Sequence, residues 1–228
     1  MAAGNRTQGG GFVPYRKRRP LPGLILLLVL GVSSTYVWVY VMDTSANLST
    51  HACDPPGGPE QRPPGLGQPL EREALERTTP APPNEAIIQV LNATSRRGRA
   101  GVVSESLRQL GFTETVVAKN DPLYGNLDMG CRAQIRFGPQ GMATARTLSI
   151  LEPCAELVRD NRQDATVDLA IGTMFDDLRP SADAKKILQQ LAQWSAAHPQ
   201  DPGGLQSDGT AQPHIDEELL TSANEVSC

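Results

Sequence analysis

Nineteen consecutive uncharged residues, Leu24 to Met42 (LILLLVLGVSSTYVWVYVM), constrain this chain more than anything else in it. At ~1.5 Å rise per residue, a helix of that run is roughly 28 Å long, close to the ~30 Å hydrocarbon thickness of a bilayer. Ser33, Ser34 and Thr35 interrupt it only mildly, because hydroxyls can bond back to carbonyls of their own helix. Tyr36, Trp38 and Tyr40 gather toward its far end, where amphipathic rings favour the headgroup zone. On the near side stand Arg16, Lys17, Arg18 and Arg19. The positive-inside rule keeps such a cluster cytoplasmic and sends everything after Asp43 outward. The expectation is a single-pass plasma-membrane helix over 21–42 behind a cytoplasmic basic stub at 1–20. Three rivals compete with it. A buried core helix would rarely be flanked by four basic residues on one side and acidic, Pro-rich sequence on the other. A cleaved signal peptide, loosely suggested by Thr44-Ser45-Ala46, has an apolar region of only about 7–15 residues. A lipidated Cys53 would have to follow the apolar run directly, whereas ten residues intervene.

Charge divides at the same boundary. Residues 1–42 carry five basic side chains and no acid, and the remaining 186 residues carry 16 basic against 25 acidic. Of the ten aromatic residues, only Phe112, Tyr124, Phe137, Phe175 and Trp194 follow Met42. Base stacking needs basic grooves and aromatic platforms, so an acidic body this poor in rings excludes nucleic acid as a partner. All four cysteines (Cys53, Cys131, Cys154, Cys228) lie beyond the apolar run, which fits disulfides on the outer side of a membrane. Cys131 and Cys154 both lie in the expected folded region and form the favoured pair, leaving Cys53–Cys228 as the candidate second. The Cys131–Cys154 loop would contribute on the order of 3 kcal/mol. The cysteines have no C-x-x-C spacing, and His51, His198 and His214 sit in linker-like sequence, so neither metal nor cofactor is expected.

Residues 43–84 read as a Pro/Gly-rich extracytoplasmic stalk, since Asp54–Pro69 alone holds six prolines and four glycines. A folded unit follows over 85–198. AIIQVLN (86–92) is apolar and β-branched and predicts a buried strand. Ala100, Val103, Leu107 and Leu110 recur at helical spacing, and Gly111 ends that helix. FTETVVAK (112–119) and CRAQIRF (131–137) are the next strands. A helix opened by Gly138-Pro139 runs to Leu151, followed by strands AELVRDN (155–161) and TVDLAIGTMF (166–175). Ser181 caps a last helix with the stripe Ala184, Ile187, Leu188, Leu191 and Trp194. This order predicts an α+β fold: a small β-α-β-β-α-β-β sandwich with a C-terminal helix, its helices on one sheet face. Residues 199–228 read as a flexible acidic tail.

Enzyme signatures are missing. The chain has no G-x-S-x-G elbow or P-loop, and no histidine falls within the folded unit short of its end at His198. Asp176-Asp177 and Asp216-Glu217-Glu218 read as solvated carboxylates. A glycan-modifying enzyme with carboxylates that sequence cannot place is the alternative. The odd local feature is Arg96, Arg97 and Arg99 just before the first helix of the folded unit, where cations oppose the macrodipole. They could receive an anionic group such as a wall-polymer phosphate or carboxylate. A solvated loop with snorkelling arginines is the more ordinary reading. Asn92 reads as a turn or cap residue within the sequon Asn92-Ala93-Thr94.

VLNATSRRGRAGVVSESLRQLGF (Val90–Phe112) resembles the opening of the LytR C-terminal domain family. There an apolar strand ends in Asn-small-Ser/Thr, a Gly precedes the helix and Gly-Phe ends it, matched here by Asn92, Ala93, Thr94, Gly98, Gly111 and Phe112. Ala93 stands where the family commonly has Gly. LAIGTMF (169–175) also fits, and the resemblance covers about 86–178. The family's domain often follows a LytR–CpsA–Psr phosphotransferase domain, which nothing here matches, so no transferase activity carries over. The resemblance implies a membrane-anchored, non-enzymatic, periplasmic-side protein of mycobacteria and related actinobacteria that supports cell envelope integrity. Its expected partner is an anionic cell-wall polymer or an envelope-assembly protein, with Asn92, Thr94, Arg96, Arg97 and Arg99 as candidate ligand residues. A scaffold of the division or elongation machinery differs only in its partner.

Overall fold

The computed structural model describes residues 21–49, 52–58, 63, 65–125, 127–199, 212–224 and 228. The basic cluster at 16–19 and most of 199–211 lie outside them. The chain forms two units, Met1–Ala46 and Asn47–Cys228.

The first unit is built on helix α1 (Leu21–Ser49), 29 residues long. Its described apolar side chains from Ile25 to Trp38 are each more than half exposed. The hydroxyls in its middle are satisfied internally: Ser33 Oγ donates to the Leu30 carbonyl at 3.1 Å and Thr35 Oγ1 to that of Gly31 at 2.8 Å. Among the described residues, no helix is long and apolar enough to cross a membrane; the described side chains of α1 stop at Trp38.

The second unit is a mixed α+β fold. In chain order it contains β1 (Gln68–Leu70), β2 (Ile88–Asn92), α2 (Arg99–Gln109), β3 (Thr115–Asn120) and β4 (Ala133–Phe137). Then follow α3 (Met142–Leu151), β5 (Glu156–Arg159), β6 (Val167–Ile171), α4 (Ala182–Ala197) and α5 (Glu217–Asn224). The sheet has six strands in the order β1-β5-β4-β6-β2-β3. Two parallel β-α-β units, β2-α2-β3 and β4-α3-β5, flank β6, which runs parallel to β2 and antiparallel to β4. Strand alternation sends Ile88, Val90, Ala133, Ile135, Phe137, Val167, Leu169 and Ile171 into one core. The helices bury Val103, Leu107, Leu148, Ile187 and Leu191 in the same core, so all of them cover one sheet face.

The helix ends form as their sequence chemistry dictates. Ser181 Oγ accepts the Ala184 amide at 3.0 Å at the start of α4. After α2, Gly111 takes φ 97°, the Phe112 amide reaches the Leu107 carbonyl and the Gly111 amide that of Arg108, a Schellman closure. Gly172, just beyond β6, has a different reason to be glycine: a Cβ there would collide with the backbone carbonyl oxygen of Cys131.

Three expectations are corrected. First, the disulfides are Cys53–Cys131 and Cys154–Cys228, with Cα separations of 5.1 and 5.6 Å, instead of Cys131–Cys154 and Cys53–Cys228. Cys131 precedes β4 and Cys154 follows α3, so each is tied to a flanking segment rather than to the other. Second, the described residues of the stalk from Cys53 onward belong to the folded unit. Cys53, Leu66 and Leu75 are buried, β1 pairs antiparallel with β5, and Thr147 Oγ1 donates to the Ala81 carbonyl at 2.7 Å. Pro69 is tolerated because β1 is an edge strand that need not donate on its open side. Third, the tail is not free where it is described. Ile215 and Ala223 are buried, α5 packs on α4, and Cys228 is bonded to Cys154.

Candidate binding loop and the polar sheet face

Strands β2, β3 and β6 are mutually parallel and end on the same side of the sheet, where the loops after them converge. The loop after β2 carries the candidate residues, and the structure divides them by role. Asn92 and Thr94 hold the loop. Asn92 Nδ2 donates to the carbonyls of Thr94 (3.1 Å) and Arg96 (2.9 Å), while its Oδ1 accepts Thr94 Oγ1 at 2.9 Å. That uses both donors of a buried amide, so Asn92 is a brace rather than a ligand group. Gly98 then takes φ 85° to turn the chain into α2.

Arg96 and Arg97 are exposed and have no side-chain partner among the described residues. Arg99 is half-buried, and its Nη1 is sealed from solvent without a hydrogen bond. Sequence reasoning missed Asp128, which fixes the loop from the side. Its carboxylate accepts the Ser95 amide at 2.5 Å and the Ser95 hydroxyl at 3.3 Å. Asp128 is thirty-three residues from Ser95 and follows a turn, so no local pattern could have marked it.

The sheet face away from the helices is covered as well: Gln134 and Arg136, on the side of β4 opposite Ala133, Ile135 and Phe137, are both 1% exposed. They sit beneath a small cluster containing the Cys53–Cys131 disulfide, Tyr124 and Met129. A polar chain crosses this face. Gln134 Nε2 donates to Glu156 at 2.6 Å, and Arg136 Nε donates to Gln134 Oε1 at 2.9 Å. Arg136 Nη2 meets Asp121 Oδ2 at 2.8 Å, charge to charge without in-line hydrogen-bond geometry. The Tyr124 ring lies over the same guanidinium at 5.6 Å, and its hydroxyl donates to the Asp54 carbonyl at 2.8 Å. Burial pushes the Tyr124 phenol up to about 12, with Arg136 opposing and Glu156, Asp121 and Asp54 adding to the rise. Further along, Arg162 bridges Asp160 and Asp168 at 2.6 Å each. Burial works against its charge, but the hydrogen bonds it donates to the two carboxylates outweigh that and raise its pKa. At the other end Arg132 grips Glu152 through two nitrogens and lies over Phe175 at 5.1 Å. The hydrogen bond to Glu152 raises its pKa further. These charges are paired for structure. Among the described residues, no group of three or more His, Cys, Asp or Glu is placed to hold a metal.

An α+β domain tied by two disulfides, with a braced basic loop after its second strand, is the architecture against which known proteins can be compared. Residues 85–175 match the family described as LytR cell envelope-related transcriptional attenuator. The chain is 36% identical over 194 residues, 84% of its length, to cell envelope integrity protein Cei of Mycobacterium tuberculosis (strain ATCC 25618 / H37Rv), of which the match covers 89%. It is also similar to the crystal structure of the soluble domain of a conserved hypothetical secreted protein from Mycobacterium marinum. That match has 38% identity and a TM-score of 0.57, and covers 72% of this chain and 99% of that one. The chain belongs to the family of Cei-like proteins that carry a LytR C-terminal domain.

Proposed function

We propose that this protein is a membrane-tethered, non-enzymatic component of the cell envelope whose extracytoplasmic domain binds an anionic wall polymer. The observation that carries the reading is the pair Arg96 and Arg97. Both side chains are exposed and unpaired among the described residues, on a loop braced by Asn92 and Asp128. Most other arginines near the sheet are spent on carboxylates. Cationic side chains held ready on a fixed backbone suit repeated phosphate or carboxylate groups.

The setting supports this. In helix α1 the described apolar side chains from Ile25 to Trp38 are all exposed, and the Ser33 and Thr35 hydroxyls bond within the helix, as lipid requires. Arg16–Arg19 favour a cytoplasmic N-terminus. Two disulfides suit an oxidising compartment. The relatives are named as an envelope integrity protein and a secreted protein.

The test is retention of the full chain on purified wall polymer, compared with the variant Arg96→Ser/Arg97→Ser. Two exposed charge contacts of about 0.7 kcal/mol each predict roughly tenfold weaker retention, shrinking as salt is raised. Unchanged retention removes the loop from the site. Enrichment of a membrane protein without any polymer would replace the polymer with a protein partner.

A further inference from the structure

A polar cavity lies between α3 and the segments packed on it, and it does not depend on the arginine loop. Arg146 on α3 is 4% exposed, yet its guanidinium has no hydrogen bond or ion pair among the described residues, and its Nε is sealed completely. A buried cation without a counter-charge is strongly unfavourable, and proteins ordinarily pair it. Burial correspondingly pulls its pKa below the usual arginine value, with the charge of Glu76 acting the other way.

Arg146 lines a cavity of about 170 Å³ together with Arg72, Glu73, Glu76, Ser149 and Asn224. This is room for about five waters. Arg72 donates one nitrogen to the Asn224 carbonyl at 2.9 Å, at the end of α5, which fixes its charge in the cavity wall. The Ser149 hydroxyl is taken up by the Arg146 carbonyl at 2.8 Å, so it does not compete for the guanidinium. Glu73 and Glu76 are exposed, and neither forms an ion pair with either arginine among the described residues.

Two arginines and two glutamates, none of them in an ion pair among the described residues, thus share one small space. A simple anion such as phosphate would satisfy the arginines but meet two carboxylates. A simple amine would face a buried guanidinium. A molecule carrying an ammonium and a carboxylate on the same carbon suits the whole lining, and the volume limits it to a short side chain. We propose that this cavity binds a small free amino acid, its carboxylate on Arg146 and Arg72 and its ammonium toward Glu73 and Glu76.

The experiment is a saturation-transfer NMR titration of the full chain in detergent micelles with alanine, acetate, ethylamine and inorganic phosphate. Alanine is expected to bind with a dissociation constant on the order of 1 mM, the range open to a ligand of that size. The three single-charge probes are expected to bind at least about tenfold more weakly. Arg146→Gln should abolish alanine binding. Because that variant alters a buried position, Glu73→Gln/Glu76→Gln, at exposed positions, provides the independent check. It should bring alanine down to the level of acetate while leaving the unfolding midpoint unchanged. No alanine signal at roughly 50 mM overturns the proposal, as do acetate or phosphate binding as tightly as alanine, or undiminished discrimination in the glutamine variant.

Discussion

Asp121→Asn should be the most damaging isosteric change in the domain. It removes the counter-charge of Arg136 while keeping the oxygen that accepts the Leu123 amide at 2.8 Å, so the turn after β3 survives. Arg136 is 1% exposed, and water cannot take the place of the carboxylate. What remains is the Gln134 oxygen at 2.9 Å and the Tyr124 ring at 5.6 Å, and neither carries a full charge. Removing one partner of a buried ion pair typically costs about 3–5 kcal/mol. With a urea dependence of about 1–3 kcal/mol per molar, the unfolding midpoint should fall by roughly 2 M. The assay is urea unfolding of residues 47–228 followed by Trp194, the one tryptophan in that segment, which stacks on His198 at 4.7 Å. Replacing both partners, as Asp121→Leu/Arg136→Met, should recover most of the loss, because the desolvation penalty disappears with the charges. If Asp121→Asn loses less than about 1 kcal/mol, the pair behaves as an exposed one and the reasoning fails. A double variant as unstable as the single would fail it equally.

Non-reducing peptide mapping of the exported domain should recover Cys53–Cys131 and Cys154–Cys228. Cys154→Ser/Cys228→Ser should cost about 4 kcal/mol, from a bridge spanning 74 residues, and open 212–228 to proteolysis; an uncleaved tail would count against the docking of α5. Asp183 is held below its ordinary pKa first by Lys186 and then by the Ser222 hydroxyl of α5, at 2.9 Å. A depressed carboxylate stabilises the fold above its unfolded value and loses that contribution as pH falls through the folded one. Carboxylate NMR should therefore place its midpoint below about 3.9, and Ser222→Ala should raise it; a midpoint that Ser222→Ala leaves unmoved would show that α5 does not touch it.

Much of this architecture is written locally. The stripe Ala184–Leu191 and the cap at Ser181 define α4 without reference to anything else, as Gly111-Phe112 defines the end of α2. The alternation of β4 and the apolar run of β2 follow from a sheet covered by helices on one face. The Asn92-Ala93-Thr94 turn was legible as a turn, and its side-chain bonds span at most four residues. Arg96 and Arg97 were legible as unusual charges because their oddity is local, a cation at a helix start.

What sequence could not decide is every relation between distant segments. Disulfide partners depend on which Cα atoms end about 5–6 Å apart, and four cysteines permit three pairings with no local signal among them. A Pro-rich stretch has the composition of a linker whether it floats or lies along a sheet edge; only Leu66, Leu70 and Leu75 finding the core makes it part of the fold. The alternation of β4 sets Gln134 and Arg136 on the face opposite Ala133, Ile135 and Phe137, but does not decide whether that face meets water. Packing of Cys53, Tyr124 and Met129 over it turned two ordinary surface positions into a buried charge network. Sequence determined the elements between β2 and α4, the charge division and the candidate loop, because these rest on interactions within a few residues. Burial of charge, the cysteine pairs and the Arg146 cavity were decided by tertiary structure alone, because burial belongs to the environment and not to the residue.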